Sequence, residues 1–300
     1  MTRAGFALLA LAIAAPVYAQ GGQGNAGGAP PQAPSYTPPK NDRIPPRLED
    51  SADLVARSPR HGEWVSIKMA DGTALKSWVV YPERSDKAGV VLVIHDIFGM
   101  APNAVTWPQA VGDQLAKEGF IAIVPDLLSG RGTKGGGSED VPNVNQAIMS
   151  LPSADVVARL NAAMTYGKSL PSSNGKTAVI GFCWGGNQSF AYAIAQPALG
   201  GAVVYYGQAP GSGNPYVVDA AQLGNLKVPV IGMYGGNDMR VTSTVQPTAD
   251  AAKQLGKSYE PHVFDGAGHG FLRNRGTEAN YKASEQAWPL TVAFLKEHLK

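Results

Sequence analysis

The chain has little of several features that mark common protein classes. It contains one cysteine in 300 residues, so no disulfide can form within it. Its 25 basic and 23 acidic residues leave a formal net charge of +2, and no stretch concentrates lysine or arginine. This balance gives no sign of a nucleic-acid partner or of a polybasic membrane contact.

The chain also has no amino-terminal apolar run as long as the about 20 residues that cross a bilayer as a helix. A shorter run at 6–15 follows Arg3 and precedes Pro16, and Ala19 supplies a small residue soon after. This layout is typical of a secretory signal peptide. We therefore predict a signal peptide over 1–19, cleaved near Ala19, and a periplasmic or secreted protein whose mature form has no membrane contact.

Residues 20–48 consist largely of glycine, proline, glutamine and alanine. Such a composition has little to bury and cannot offset the chain entropy lost on folding. We predict a disordered linker over 20–48 and one domain over 49–300. A domain of this length can bury a large core without disulfides.

Short β-branched runs alternate with helical patterns from residue 62 onward. Two antiparallel strands are predicted at 63–69 and 74–81, joined by a turn. Further strands are predicted at 89–95, 120–124, 176–182, 201–206, 228–234 and 259–264. Helices are predicted at 108–118, 153–170 (capped by Ser153), 184–195 and 281–299. Alternation of this kind predicts an α/β fold with a doubly wound, mostly parallel sheet flanked by helices.

The single cysteine lies in the segment GFCWG at 181–185, between a predicted buried strand and a helix. A glycine two residues to each side permits the sharp turn that presents a nucleophile at a strand-to-helix corner. The helix amino terminus favours the thiolate form. The alternative is a buried structural thiol, but this setting favours Cys183 as a catalytic nucleophile.

A nucleophile of this kind needs a base and an acid that orients it. Asp238 and His269 follow the strands at 228–234 and 259–264, so both lie at the carboxyl edge of the sheet. Taken alone, each would more often be an ordinary loop residue. Because they follow Cys183 in the order nucleophile, acid, base, they predict a catalytic triad. His262 is predicted to be structural and His95 to shape a loop.

The segments GFCWGG at 181–186, HDIFG at 95–99 and GHGF at 268–271 together resemble the dienelactone hydrolase (carboxymethylenebutenolidase) family. The similarity covers roughly 60–300 and includes AVVYYG at 202–207. The resemblance implies an α/β-hydrolase fold in a single domain. It also implies hydrolysis of a dienelactone to maleylacetate without a metal or organic cofactor.

The resemblance implies further site residues. Asp96 stands where the family has a glutamate that contacts the resting thiol; aspartate is one methylene shorter, and a turn-capping role is equally open. The backbone N–H groups of Ile97 and Trp184 would form an oxyanion hole.

Substrate binding is likewise implied by the resemblance. Arg273 matches one of two arginines that hold a substrate carboxylate, and Tyr206 is also expected to bind substrate. Arg131 falls one residue later than the second arginine of the family pattern.

Three functions stay open on the sequence. The first is hydrolysis of a lactone or small activated ester through a thioester acyl-enzyme. The second keeps the enzyme but has an exported esterase or thioesterase act on another small ester. The third is a non-catalytic binding protein on a degenerate hydrolase fold. The expected partner is a small molecule, and the sequence leaves the oligomeric state open, including a monomer.

Overall fold

The computed structural model describes residues 36–100 and 106–300. The predicted signal peptide at 1–19 and the first part of the predicted linker lie outside these residues. Within the described ranges, no helix has both the length and the apolar character needed to cross a membrane.

The described chain forms ten strands and nine α-helices. The strands are β1 (Gly62–Lys68), β2 (Ala74–Val80), β3 (Ala88–Ile94), β4 (Ile121–Pro125), β5 (Ser173–Phe182), β6 (Gly201–Tyr205), β7 (Gly211–Ser212), β8 (Val217–Val218), β9 (Val230–Gly235) and β10 (Tyr259–Phe264). The helices are α1 (Ser51–Arg57), α2 (Thr106–Lys117), α3 (Val144–Met149), α4 (Ser153–Ser169), α5 (Trp184–Ala195), α6 (Ala220–Leu223), α7 (Met239–Thr242), α8 (Val245–Gln254) and α9 (Glu278–His298). Short 3-10 turns lie at Leu48–Asp50 and Ser138–Asp140.

Eight strands form one sheet in the order β1-β2-β4-β3-β5-β6-β9-β10. The β1–β2 and β2–β4 pairs are antiparallel, and every other neighbouring pair is parallel. The remaining strands, β7 and β8, pair as a small separate ribbon. This arrangement confirms the predicted α/β class and the doubly wound, mostly parallel sheet.

The central strands are apolar on both faces because helices cover both sides of the sheet. In β3, Val90 and Leu92 join the core on one side, whereas Val91 and Val93 join the core on the other. The first side is packed by α4, α5 and α8, and the second by α2 and α9. The carboxyl ends of the parallel strands therefore meet at one edge, where the loops bear the candidate site.

The predicted linker is too long at its carboxyl end. Residues 36–48 pack against the domain instead of forming a free tether. Ile44 is 3% exposed within the core on the α2 side, and Trp107 donates its indole N–H to the Pro46 carbonyl. Composition alone did not predict this packing, because a few apolar side chains are enough to hold the segment once the folded domain offers an apolar surface.

Other differences are local. Ser153 is the first residue of α4 and makes no side-chain cap, because Pro152 occupies the capping position. The helices α1, α3, α6, α7 and α8 and the β7–β8 ribbon were not predicted. Most of these elements are short, and short segments carry little periodicity of their own.

The packing of the amino-terminal segment can be tested by stability. Ile44→Ala should lower the free energy of unfolding by about 2–5 kcal/mol, because it removes a buried side chain from the core. Leu255→Ala, at a residue that is 39% exposed, is the control and should change it by less than about 0.5 kcal/mol. Urea unfolding followed by circular dichroism measures both. Equal small changes would show that residues 36–48 do not pack in solution.

Candidate active site

Cys183 is the only residue between β5 and α5, so the chain reverses there from strand to helix in one step. Its backbone angles are φ 57° and ψ −117°. Among the described non-glycine residues, only Cys183 and Tyr206 have positive φ. Such conformations are strained and are kept where the surrounding structure enforces them, commonly at functional sites.

Two glycines permit this reversal. A Cβ atom at Gly181 would lie 1.9 Å from the carbonyl oxygen of Gly185, and one at Gly185 would lie 2.4 Å from the carbonyl oxygen of His95. The Cys183 N–H donates to the Tyr205 carbonyl at 3.1 Å, which ties the corner to β6. The glycine spacing of the motif thus follows from backbone packing at the corner.

The predicted acid and base meet. His269 Nδ1 lies 2.5 Å from Asp238 Oδ2, although the two residues are 31 positions apart. Their loops are joined by the Asn237 N–H, which donates to the Ala267 carbonyl at 2.8 Å. A Cβ atom at Gly235 would lie 2.6 Å from that same carbonyl oxygen, so a glycine is needed for the two loops to approach.

The environment of His269 favours its protonated form. Burial disfavours the imidazolium, but hydrogen bonds to Asp238 and Cys183, with the charges of both, outweigh burial and raise its pKa to about 9. Cys183 and His269 line one cavity of about 610 Å³. The structure therefore brings Cys183, Asp238 and His269 together at one place on this edge of the sheet.

The candidate oxyanion donors lie beside this cavity. Trp184 is the first residue of α5, so its N–H has no acceptor within the helix, and Ile97 lines the cavity. His95 is fully buried, accepts from the Leu127 N–H at 3.4 Å and stacks against the Trp184 ring at 5.9 Å. These contacts suit the loop-shaping role expected of His95.

Asp96 is held by partners other than the thiol. Its Oδ2 accepts from Arg273 Nη1 at 2.5 Å, and its Oδ1 accepts from the Phe98 N–H at 3.0 Å. The second contact is the turn-capping role that the sequence left open. The guanidinium of Arg273 lies 4.5 Å from the centre of the Phe98 ring. Within the described residues, the hydrogen bonds of the Asp96 carboxylate go to these groups and not to Cys183.

The two remaining candidates differ in position. Tyr206 lines the cavity, and its ring meets the His269 ring edge-on at 5.0 Å. Burial, and then the charges of Asp96 and Cys183, raise the pKa of Tyr206 well above its usual range, so its hydroxyl stays protonated. Arg131 is exposed and pairs with Asp155 on α4, and it is not among the residues that line the cavity. The structure does not bring Arg131 to the site.

Sequence reasoning missed part of the cavity wall. The additional lining residues are Leu48, Glu49, Phe98, Arg240, Gly270 and Asn274. Arg240 follows Asp238 by two positions and could have been suspected from that spacing. Leu48 and Glu49 carried no signal because they lie at the end of the predicted linker and the start of the predicted domain. Over 36–100 and 106–300, no three His, Cys, Asp or Glu side chains are grouped so that they could hold a metal ion.

A family model described as the dienelactone hydrolase family matches residues 75–299. The chain belongs to the dienelactone hydrolase family. It is accordingly a carboxylic ester hydrolase with the α/β-hydrolase fold. It is 30% identical to a carboxymethylenebutenolidase of Pseudomonas sp. (strain P51) over 242 residues, which cover 78% of this chain and 94% of the relative.

A further relative agrees with this assignment, and a solved structure agrees with the fold. A protein of Methylorubrum extorquens, provisionally named carboxymethylenebutenolidase, is 29% identical over 231 residues and is matched over 75% of each chain. A crystal structure provisionally described as a dienelactone hydrolase of Klebsiella pneumoniae superposes with a TM-score of 0.65 at 24% identity. It covers 79% of this chain and 99% of that one, which supports the fold.

The Asp238–His269 contact can be tested by titration. Asp238→Asn should move the pKa of His269 from about 9 towards the ordinary value near 6.5, because the anionic partner is lost while burial persists. NMR titration of the imidazole measures this, with His269→Gln to assign the signal. Glu260→Gln, which removes the 2.8 Å partner of His262, is the matched control and should leave the His269 midpoint in place. An unchanged midpoint in Asp238→Asn would contradict the pairing.

The Asp238–His269 pair should also make the free energy of unfolding depend on pH. Because the pKa of His269 is higher in the folded than in the unfolded chain, the stabilisation that its protonation gives to the fold is fully present below about pH 6.5. It is lost as the pH rises through about 9.

Proposed function

We propose that the chain hydrolyses a lactone or small activated ester through a thioester acyl-enzyme. Cys183 is the nucleophile, His269 moves the proton, and Asp238 orients the imidazole. The observation that carries the proposal is the 2.5 Å Asp238–His269 contact beside a strained cysteine that lines the same cavity as the imidazole.

The raised pKa of His269 favours a proton that already resides on the imidazole at neutral pH. In the proposed mechanism this proton comes from the Cys183 thiol, and the amino terminus of α5 favours the negative charge left on sulfur. His269, already protonated, therefore acts first as a general acid.

The reaction begins when the Cys183 sulfur bonds to the ester carbonyl carbon and the carbonyl oxygen becomes negative. The N–H groups of Ile97 and Trp184 would stabilise that charge, each by about 3 kcal/mol. Collapse breaks the bond to the alcohol oxygen, which takes the proton from His269. In a lactone the alcohol stays attached and the ring opens. Neutral His269 then takes a proton from water, whose oxygen bonds to the thioester carbon. The C–S bond breaks, the carboxylic acid departs, and Cys183 is left as a thiolate beside protonated His269.

The relatives named carboxymethylenebutenolidase favour a dienelactone-like enol lactone as substrate. Two observations favour a different small ester or thioester. Arg131 pairs with Asp155 away from the cavity, and Arg273 pairs with Asp96. The two arginines expected to bind a substrate carboxylate are thus each paired with an aspartate of the protein instead. The predicted signal peptide also favours a substrate met outside the cytoplasm, where ring-cleavage pathways that yield dienelactones do not normally run.

A non-catalytic binding role has little support from the site. Positive φ at Cys183 and Tyr206 costs stability, each of order 1–3 kcal/mol. Both strained residues line the cavity that holds His269. A binding protein would have no need for a strained thiol beside a raised-pKa imidazole.

The proposal is tested by hydrolysis of p-nitrophenyl acetate. Cys183→Ala should lower kcat/KM by about 1,000-fold or more, since the bond-forming atom is gone. His269→Gln should lower it comparably, whereas the control His262→Gln should lie within about twofold of wild type because His262 is outside the cavity.

A second measurement follows the intermediate directly. Brief reaction of the wild type with the ester, followed by acid quench and peptide mass spectrometry, should place one acetyl group on Cys183. Activity in Cys183→Ala equal to that of wild type would eliminate the proposed nucleophile. No turnover by the wild type on a panel of esters, thioesters and lactones would favour the binding protein.

A further inference from the structure

The cavity wall includes a segment that the family match does not cover. The family model begins at residue 75, whereas Leu48 and Glu49 line the cavity together with Cys183 and His269. We call residues 36–57 the amino-terminal arm. Its place in the cavity wall is a feature of this chain that the family match alone does not indicate.

The arm is held on the domain by side chains that bind its backbone carbonyls. Arg275 Nη2 donates to the Pro45 carbonyl at 2.8 Å, and Lys117 Nζ donates to the Asp42 carbonyl at 2.7 Å. Arg275 is only 5% exposed, and burial, then the charge of Arg47, lower its pKa to about 10. A buried guanidinium is costly unless its hydrogen bonds are satisfied, and the arm supplies one acceptor for it.

The arm also joins the turn that bears the catalytic base. The Leu48 N–H donates to the Arg273 carbonyl at 3.2 Å, and the Arg273 N–H donates to the Gly270 carbonyl at 3.0 Å. Gly270 directly follows His269. Two backbone hydrogen bonds thus connect Leu48, through Arg273, to the residue that follows His269.

The arm brings an apolar side chain and a charge to the cavity. Leu48 adds to the apolar lining formed by Ile97 and Phe98. Glu49 pairs with Arg47 at 2.7 Å, but Arg47 also pairs with Asp50 at 2.7 Å. Glu49 and Asp50 thus share the guanidinium of Arg47.

The cavity is lined by equal numbers of arginines and carboxylates. The lining holds two arginines, Arg240 and Arg273, and two carboxylates, Asp96 and Glu49. Asp96 neutralises Arg273 directly. Arg240 is exposed and has no ion pair with any residue of the described ranges, and Glu49 is the second carboxylate on the same cavity wall. The formal charges of these four lining side chains therefore cancel.

We propose that the arm selects the substrate, with Leu48 limiting its size and Glu49 offsetting Arg240, so that the site takes an uncharged small ester or lactone. This inference rests on the proposed hydrolysis at Cys183. It differs from the carboxylate-bearing substrate that the family resemblance implies.

Size selection is tested by the ratio of kcat/KM for p-nitrophenyl hexanoate to that for p-nitrophenyl acetate. Leu48→Ala should raise this ratio and Leu48→Trp should lower it, each by about fivefold or more, since changes of a few methylenes in an apolar pocket have effects of this size. Leu54→Ala makes the same change elsewhere on the arm, in a residue that lines a different cavity, and should leave the ratio within about twofold.

These variants also separate selection from mere stabilisation of the fold. If the arm were only structural, Leu48→Ala and Leu54→Ala would lower thermal stability alike and leave the ratio unchanged. That result, or the same ratio in Leu48→Ala and Leu48→Trp, would overturn the role of Leu48.

Charge selection is tested with p-nitrophenyl hydrogen succinate, which carries a carboxylate, against neutral p-nitrophenyl butyrate. Wild type should favour the neutral ester. Glu49→Gln should raise the anionic-to-neutral ratio of kcat/KM by about threefold at low salt, with a smaller effect at high salt because ions screen exposed charges. Adding Arg240→Gln should remove the gain. Asp53→Asn, on an arm acid outside the cavity, is the control and should leave the ratio unchanged.

The two proposals fail in distinguishable ways. Turnover of p-nitrophenyl acetate that persists in Cys183→Ala defeats the proposed function and, with it, the inference. Turnover that depends on Cys183, with ratios insensitive to Leu48 and Glu49, defeats the inference alone. A wild-type preference for the succinate ester that Glu49→Gln leaves unchanged also defeats the charge argument.

Discussion

The reversal of the chain at Cys183 is the constraint on which the site depends. The strand β5 is buried in the middle of the sheet, and α5 must begin one residue after it ends. The carbonyl of Gly185 packs where a side chain at Gly181 would lie, so the corner closes only with glycine there. This packing holds the cysteine in a strained conformation and places its sulfur at the cavity. The strain is offset by the burial of the strand and helix on either side.

Asp238 and His269 meet through a second close approach of backbone. The loop after β9 and the loop after β10 are joined by hydrogen bonds between main-chain groups, and Gly235 allows them to touch. Neighbouring parallel strands deliver both loops to the same edge. The short Asp238–His269 contact is thus a consequence of strand order. The raised pKa of His269 follows from this contact and from the nearby thiol.

Beyond the proposed triad, the chemistry of the cavity depends on which charged side chains pair with each other. Asp96 and Arg273 are 177 residues apart, yet their ion pair occupies both a candidate activator and a candidate substrate ligand. The amino-terminal arm adds an apolar side chain and a carboxylate to the same wall. Under the proposed function, this member of the dienelactone hydrolase family keeps the corner at Cys183 and changes what the pocket accepts. Such a change in the pocket requires only that side chains from distant parts of the chain lie together at its wall.

The fold class and the three triad candidates could be predicted from the sequence because their signals are local. Apolar runs mark the buried strands, and GFCWG marks the corner at Cys183. The order of strands then places Asp238 and His269 on the same edge. These features depend on residues within a few positions of each other and on general rules of strand connection.

Tertiary structure alone decided which charges pair and which segments pack. Nothing near Asp96 in sequence indicates that Arg273 takes its carboxylate, and nothing near Arg131 indicates that Asp155 holds it away from the cavity. The arm has the composition of a linker, yet Ile44 is buried because the domain offers it an apolar surface. Ion pairs and burial between distant segments depend on three-dimensional distance, which local composition and spacing do not encode.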